Sequence, residues 1–92
     1  MGNKLLIQKI EELANIPKDV TEGLPYLSIL GNTEIYIENY RGLLEYTHEI
    51  VRVQTQNGRI ELNGTNLHVE YYSNDEMKIK GFIKEINFQI GG

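Results

Sequence analysis

The sequence predicts a mainly β single domain, either a small antiparallel β-sandwich or a rolled barrel of seven to eight short strands, with one N-terminal amphipathic helix. Three observations predict it. The length of 92 residues is that of one domain. Apolar and polar residues alternate from Tyr26 onwards, which is the period of strands with one wet face. Turn residues interrupt this alternation about every 7–10 residues, as they do in antiparallel β domains.

The helix is predicted over residues 3–14 because its apolar residues recur at helical spacing. These residues, called the N-terminal stripe below, are Leu5, Leu6, Ile7, Ile10 and Leu13. Pro17 stops the helix, since proline lacks an amide donor and restricts the residue before it. Residues 15–25 then form a connector. The pattern leaves open whether the helix closes a barrel end, packs on a sheet or docks elsewhere.

The β domain is predicted over residues 26–90, within a single domain of residues 1–92. Asn57-Gly58 and Asn63-Gly64 are typical of tight turns, because both residue types tolerate positive φ. Gly64 and Gly81 each follow a strand pattern and are interpreted as corners. The predicted strands are 26–30, 34–38, 43–46, 50–55, 59–63, 67–72, 77–80 and 86–90.

Composition excludes several kinds of site. The chain has no cysteine, which excludes disulfides, thiolate zinc sites and a cysteine nucleophile. Its net charge of −4 argues against nucleic-acid binding, which normally depends on a basic surplus. No apolar run approaches the roughly 20 residues needed to span a bilayer. We therefore expect no transmembrane segment and a cytoplasmic location.

No catalytic, cofactor-binding or metal-binding residues are predicted. His48 and His68 are isolated in sequence, whereas a metal site needs several ligands at suitable spacing. Glu34 and Glu38 share a strand face but stand roughly 13 Å apart at about 3.3 Å per residue. That separation is too wide for a catalytic pair, so we expect no enzymatic activity.

A candidate partner-binding segment lies within residues 36–46. Arginine and tyrosine are enriched in interface hot spots, and an outward-facing tyrosine often marks a contact surface. The alternative is a purely structural bend, in which Asn39 bonds to backbone and Arg41 pairs with Glu38 or Glu45. The predicted partner-binding residues are Tyr36, Asn39, Tyr40, Arg41 and Tyr46.

The sequence resembles the YabP/YqfC family of sporulation proteins, and in particular its YqfC branch. The resemblance is most specific in Glu38-Asn39-Tyr40-Arg41-Gly42 and continues through residues 43–46. It includes Leu24-Pro25, residues 29–32, 50–53 and 60–64, and the helix followed by residues 17–20. Nearly the whole chain is covered.

This resemblance implies a protein of endospore-forming Firmicutes that is made in the mother cell during sporulation. It implies a YqfD-type membrane partner or a role in spore-envelope assembly, with no catalytic residues to carry over. We therefore expect an interaction or scaffold module, peripheral to a membrane through its partner. Exposed sheet edges make a homo-oligomer plausible. The alternative is an Sm-like or other small-barrel nucleic-acid-binding protein.

Overall fold

The computed structural model describes residues 23–91, in which every regular element is a β-strand. The helix predicted over residues 3–14 and most of the connector lie outside these residues. The six strands are β1 (Tyr26–Leu30), β2 (Glu34–Glu38), β3 (Tyr40–Tyr46), β4 (Ile50–Thr55), β5 (Gly58–Tyr72) and β6 (Glu76–Ile90).

All six strands join one antiparallel sheet in the order β1-β2-β6-β5-β4-β3. The long hairpin of β5 and β6 therefore occupies the centre of the sheet. Two hairpins flank it, β1–β2 beside β6 and β3–β4 beside β5. Each shorter hairpin covers only half the length of the central one, so the sheet has two halves that share β5 and β6.

The prediction of seven to eight short strands is wrong, although the mainly β antiparallel class is confirmed. The segments predicted as 59–63 and 67–72 are both part of β5, and those predicted as 77–80 and 86–90 are both part of β6. Asn63-Gly64 does not form a hairpin turn, because the residues on both sides of it pair with β6. A hairpin between β4 and β5 is confirmed at this place, but its two-residue loop is Gln56-Asn57 rather than Asn57-Gly58, because Gly58 pairs with Thr55 as the first residue of β5.

Gly64 and Gly81 lie where the two long strands bend, as the sequence predicts. The pairing of β5 with β6 shifts register at Asn63/Gly64 and again between Thr65 and His68, which are bulges that bend a strand. Gly81 has a φ of +144°, and a Cβ atom there would lie 2.5 Å from the Asn66 carbonyl oxygen. The bends require glycine because the two backbones approach too closely for a side chain.

The bends fold the two halves of the sheet over one core. Ile35 and Ile37 of β2 enter it from one half, and Val51 and Val53 of β4 enter it from the other. All four side chains are at most 1% exposed. The remaining buried apolar residues are Tyr40, Ile60, Leu62, Leu67, Met77, Ile79 and Ile83.

The sheet is rolled, because its β3 edge returns to the central hairpin. The Asn39 amide, just before β3, donates a 2.8 Å hydrogen bond to the Asp75 carbonyl oxygen in the β5–β6 turn. At the other end of β3, the Tyr46 hydroxyl accepts a 3.1 Å hydrogen bond from the Val69 amide of β5. These contacts hold β3 beside the C-terminal half of β5, where the two strands form no backbone ladder.

Candidate partner-recognition surface

One end of the rolled sheet gathers Tyr36, Tyr40, Tyr71 and Tyr72, and Tyr26 on β1 is the register partner of Glu38 at the same end. Tyr36 neighbours Tyr71, and Tyr40 neighbours Tyr72. All four surround the β5–β6 turn at residues 73–75, and we call this region the tyrosine end. Tyr71 and Tyr72 are 46% and 58% exposed, so the tyrosine end presents aromatic surface to solvent.

Tyr36 and Tyr71 belong to one row across the outer face of the sheet. Both are register partners of Lys78 on β6, which separates them. The Lys78 ammonium lies 3.4 Å from a Glu34 carboxylate oxygen and 3.6 Å from one of Glu70. The two rings therefore flank a neutralised lysine rather than a free cation.

Tyr40 is a core residue, only 4% exposed. Its hydroxyl donates to the carbonyl oxygens of Ser73 and Glu76 and so ties β3 to both ends of the β5–β6 turn. Burial and the nearby Tyr72 and Asp75 raise the pKa of its phenol. The predicted partner-binding role of Tyr40 is thus indirect at most, because its ring leaves almost no surface to contact.

Asn39 and Arg41 flank Tyr40 and are both exposed. Asn39 has a φ of +64°, and its side-chain amide donates a 3.1 Å hydrogen bond to the Leu24 carbonyl oxygen. That geometry matches the structural bend considered from the sequence. Arg41 makes no ion pair within residues 23–91, and so its guanidinium remains available at the tyrosine end.

Tyr46 lies at the opposite end of β3, away from the other four predicted residues. It is 43% exposed, and Leu44 on the same strand is 50% exposed. Tyr40 and Tyr46 are the first and last residues of the seven-residue β3, so their Cα atoms are roughly 20 Å apart at about 3.3 Å per residue. The structure therefore brings Tyr36, Asn39, Tyr40 and Arg41 together at the tyrosine end. Tyr46 lies at the far end of β3, and its hydroxyl reaches the Val69 amide, two residues before Tyr71 on β5.

Acidic side chains border the tyrosine end. Glu38, Asp75 and Glu76 all act on the tyrosine phenols there. Burial, followed by Glu38 and Glu76, raises the pKa of Tyr36 well above its usual value. The tyrosine end thus combines exposed aromatic rings with local negative charge.

Glu45 pairs with Arg52 rather than with Arg41. Arg52 also donates to a Glu61 oxygen at 2.7 Å, next to a 2.8 Å hydrogen bond from Asn63 to that carboxylate. Asn63 and Arg52 together lower the pKa of Glu61. The predicted alternative in which Arg41 pairs with Glu45 is therefore not formed.

Sequence reasoning missed two features of this molecule. Tyr71 and Tyr72 contribute the exposed rings of the tyrosine end, and their position directly before the Ser73-Asn74-Asp75 turn could have identified them. His48 and His68, isolated in sequence, have ring centroids 5.2 Å apart. Within residues 23–91, no group of three or more histidine or acidic side chains is arranged to hold a metal ion.

None of the elements in residues 23–91 is a helix long and apolar enough to cross a membrane. Comparison with known proteins confirms the resemblance seen in the sequence. The model of the YabP family matches residues 23–92. The chain is similar to the uncharacterized protein YqfC of Bacillus subtilis (strain 168), with 33% identity over 73 residues, which are 79% of this chain and 78% of that protein. No solved structure matches the chain.

Proposed function

Because the chain belongs to the YabP family, we propose that it is a non-enzymatic sporulation protein that acts as an interaction or scaffold module in the mother cell. Its partner is a membrane protein of the YqfD type, or it acts in assembling the spore envelope. Family membership supports the sporulation setting. The observation that supports recognition of a partner is the tyrosine end, where Tyr71 and Tyr72 are exposed and acidic side chains lie close to the tyrosine phenols.

The chemistry of the tyrosine end favours a basic partner segment. Tyrosine rings supply rigid contact area and attract cations, and Glu38, Asp75 and Glu76 add negative charge around them. Cytoplasmic loops of membrane proteins are enriched in lysine and arginine close to their spans. An acidic, aromatic surface in the mother-cell cytoplasm is therefore suited to the loop of a membrane partner, which would hold the protein at the membrane periphery.

The nucleic-acid alternative gains no support from the distribution of charge. Arg52, Lys78 and Lys80 are each bound to glutamates. Neutralised cations cannot replace the counterions of a phosphate backbone, which is the main source of affinity in such complexes. Tight RNA binding with a steep salt dependence would contradict the proposed function.

The experiment that tests the proposal is deletion of the gene in a spore-forming host, followed by counting heat-resistant spores after starvation. We expect a large drop that the wild-type copy restores and the Tyr72→Ala copy does not. Phe82→Ala is the matched control, because Phe82 is an aromatic residue of similar exposure, 55%, outside the tyrosine end. Normal spore counts after deletion would contradict the sporulation role.

A second comparison separates recognition from folding. Asp75→Lys and Glu49→Lys each reverse one exposed acidic residue in a turn between strands, and both proteins should fold as judged by circular dichroism. Crosslinking in sporulating cells should lose the membrane partner with Asp75→Lys, because Asp75 lies at the tyrosine end, and retain it with Glu49→Lys. Equal capture by the two variants would exclude the tyrosine end as the contact surface.

A further inference from the structure

The C-terminal half of β6 carries an apolar row on the inner face of the sheet. Ile86 is half-buried, whereas Phe88 and Ile90 are 56% and 65% exposed. Phe88 is the register partner of Ile60, which is 1% exposed and belongs to the core. These side chains therefore lie on the same face of the sheet as the core, but no other described strand packs over them. We call Ile86, Phe88 and Ile90 the β6 row.

The backbone beside the β6 row is also open on one side. β2 pairs with β6 only from Glu76 to Lys80, and two further hydrogen bonds from residues 81 and 83 reach the β1–β2 turn. From residue 84 onwards, β6 pairs with β5 alone among the described strands. A long apolar strand with one unpaired edge associates readily with other segments or chains. We therefore expect another segment to pack against the β6 row.

A groove lies at the end of the β6 row, next to the first described residues of the chain. Its apolar lining comes from Leu24, Pro25, Ile60, Phe88 and Ile90, and its polar lining from Thr55, Asn57 and Arg59. Its volume is about 220 Å³, and an apolar cavity of roughly 150 Å³ already admits benzene. The groove therefore has room for a large aliphatic side chain, and Leu24, the second of the described residues, forms part of its wall.

We propose that residues 1–22 of the same chain cover the β6 row, with the N-terminal stripe packed on Phe88 and Ile90. The stripe supplies the aliphatic side chains that the row and the groove require. Arg59, which also lines the groove, offers a positive charge to Glu12 beside the stripe. The occupant is thus an intramolecular segment rather than a second copy of the chain.

The dimensions of the two elements agree. A helix over residues 3–14 is about 18 Å long at 1.5 Å per residue, and residues 84–90 of β6 span roughly 20 Å at about 3.3 Å per residue. The eight residues from 15 to 22 extend up to about 27 Å. They are therefore long enough to lay the N-terminal stripe along the whole row.

Paramagnetic labelling of the full chain tests this proposal. The chain has no cysteine, so Glu11→Cys carries a single nitroxide beside the stripe without altering it. NMR signals of Ile86, Phe88 and Ile90 should broaden, while the Tyr72 ring signals, at the other end of the central hairpin, remain sharp. The matched label at Asn74→Cys, in the β5–β6 turn, should leave the β6 row unaffected. An unbroadened β6 row in the Glu11→Cys protein would overturn the proposal.

A mixed sample distinguishes the segment from a second copy. Nitroxide-labelled chains without isotopes are mixed with isotope-labelled chains that carry no nitroxide, so broadening then reports contacts between molecules. We expect the β6 row to stay sharp in this sample. Broadening as strong as in the single-chain sample would mean that another copy covers the row, and the proposal would be wrong.

A charge variant provides an independent readout. Ile10→Asp places a carboxylate within the stripe, whereas Lys9→Asp places one beside it. Ile10→Asp should raise the fluorescence of a dye that binds exposed apolar surface severalfold, and Lys9→Asp should not. Equal fluorescence from the two variants would show that the stripe does not cover the row.

Discussion

At the scale of single residues, Tyr40 shows why exposure is difficult to infer from a sequence. In a strand, alternate residues face opposite sides of the sheet, and this parity holds only while the strand is regular. Asn39, with a φ of +64°, interrupts it between β2 and β3. The parity established by Ile35 and Ile37 therefore does not carry over to Tyr40, which turns into the core.

Replacement of Tyr40 and Arg41 one at a time should separate a structural residue from a surface residue. Tyr40→Phe removes the donor to the Ser73 and Glu76 carbonyl oxygens, so the free energy of unfolding should fall by about 1 kcal/mol. Arg41→Ala should change it by less than about 0.5 kcal/mol, because Arg41 is exposed. Urea denaturation measures both values. An unchanged stability of Tyr40→Phe would show that those hydrogen bonds contribute nothing.

At the scale of elements, the sequence predicted the positions at which the chain bends, but not whether a strand ends or continues at each of them. Each predicted break at Asn63-Gly64 and Gly81 coincides with a bend. Whether a glycine ends a strand or bends it depends on the partner strand, which local sequence does not specify. Both bends stay within strands because β5 and β6 bend together and keep their ladder on either side.

The bend at Gly81 should be more sensitive to substitution than other glycines of the sheet. A Cβ atom at Gly81 would lie 2.5 Å from the Asn66 carbonyl oxygen and 2.9 Å from the Leu67 Cα atom, at a φ of +144°. Gly81→Ala should therefore lower the free energy of unfolding by about 1–3 kcal/mol.

Gly42→Ala is the control for Gly81→Ala. A Cβ atom at Gly42 meets nothing within 4 Å, and its φ is not positive. This substitution should be neutral or stabilise the protein by up to about 1 kcal/mol, since alanine restricts the unfolded chain. Urea denaturation of both variants provides the comparison, and equal losses would mean that the close approach at Gly81 is not what determines stability.

At the scale of the whole molecule, the tyrosine end and the core arise from the same rolling of one sheet. Tyr36, Tyr71 and Arg41 lie on β2, β5 and β3, which are not all neighbours in the sheet. The sequence could identify Tyr36 and Arg41 as candidates because they lie within a few residues of each other. The turn that follows them could have identified Tyr71 and Tyr72 as candidates in their own right, but only the paired register of β2, β6 and β5 shows that Tyr71 lies in one row with Tyr36.

The shared central hairpin should also make the two halves of the sheet unfold as one unit. β2 pairs with the N-terminal half of β6, and β4 pairs with the N-terminal half of β5. Their buried side chains belong to one core, so neither half can open completely without exposing apolar side chains of the other half. Native-state hydrogen exchange should therefore give similar opening free energies for the most protected amides of β2 and β4.

A substitution confined to one half tests this coupling. Ile37→Val removes one buried methylene from β2 and should cost about 1 kcal/mol. That loss should speed exchange about fivefold in β4 as well as in β2, because both strands exchange through the same global opening. Ile29→Val is the control, since Ile29 is 51% exposed and its shortening should change neither strand measurably. Faster exchange in β2 alone would show that the β1–β2 half opens independently, and the central hairpin would then connect two separate folding units.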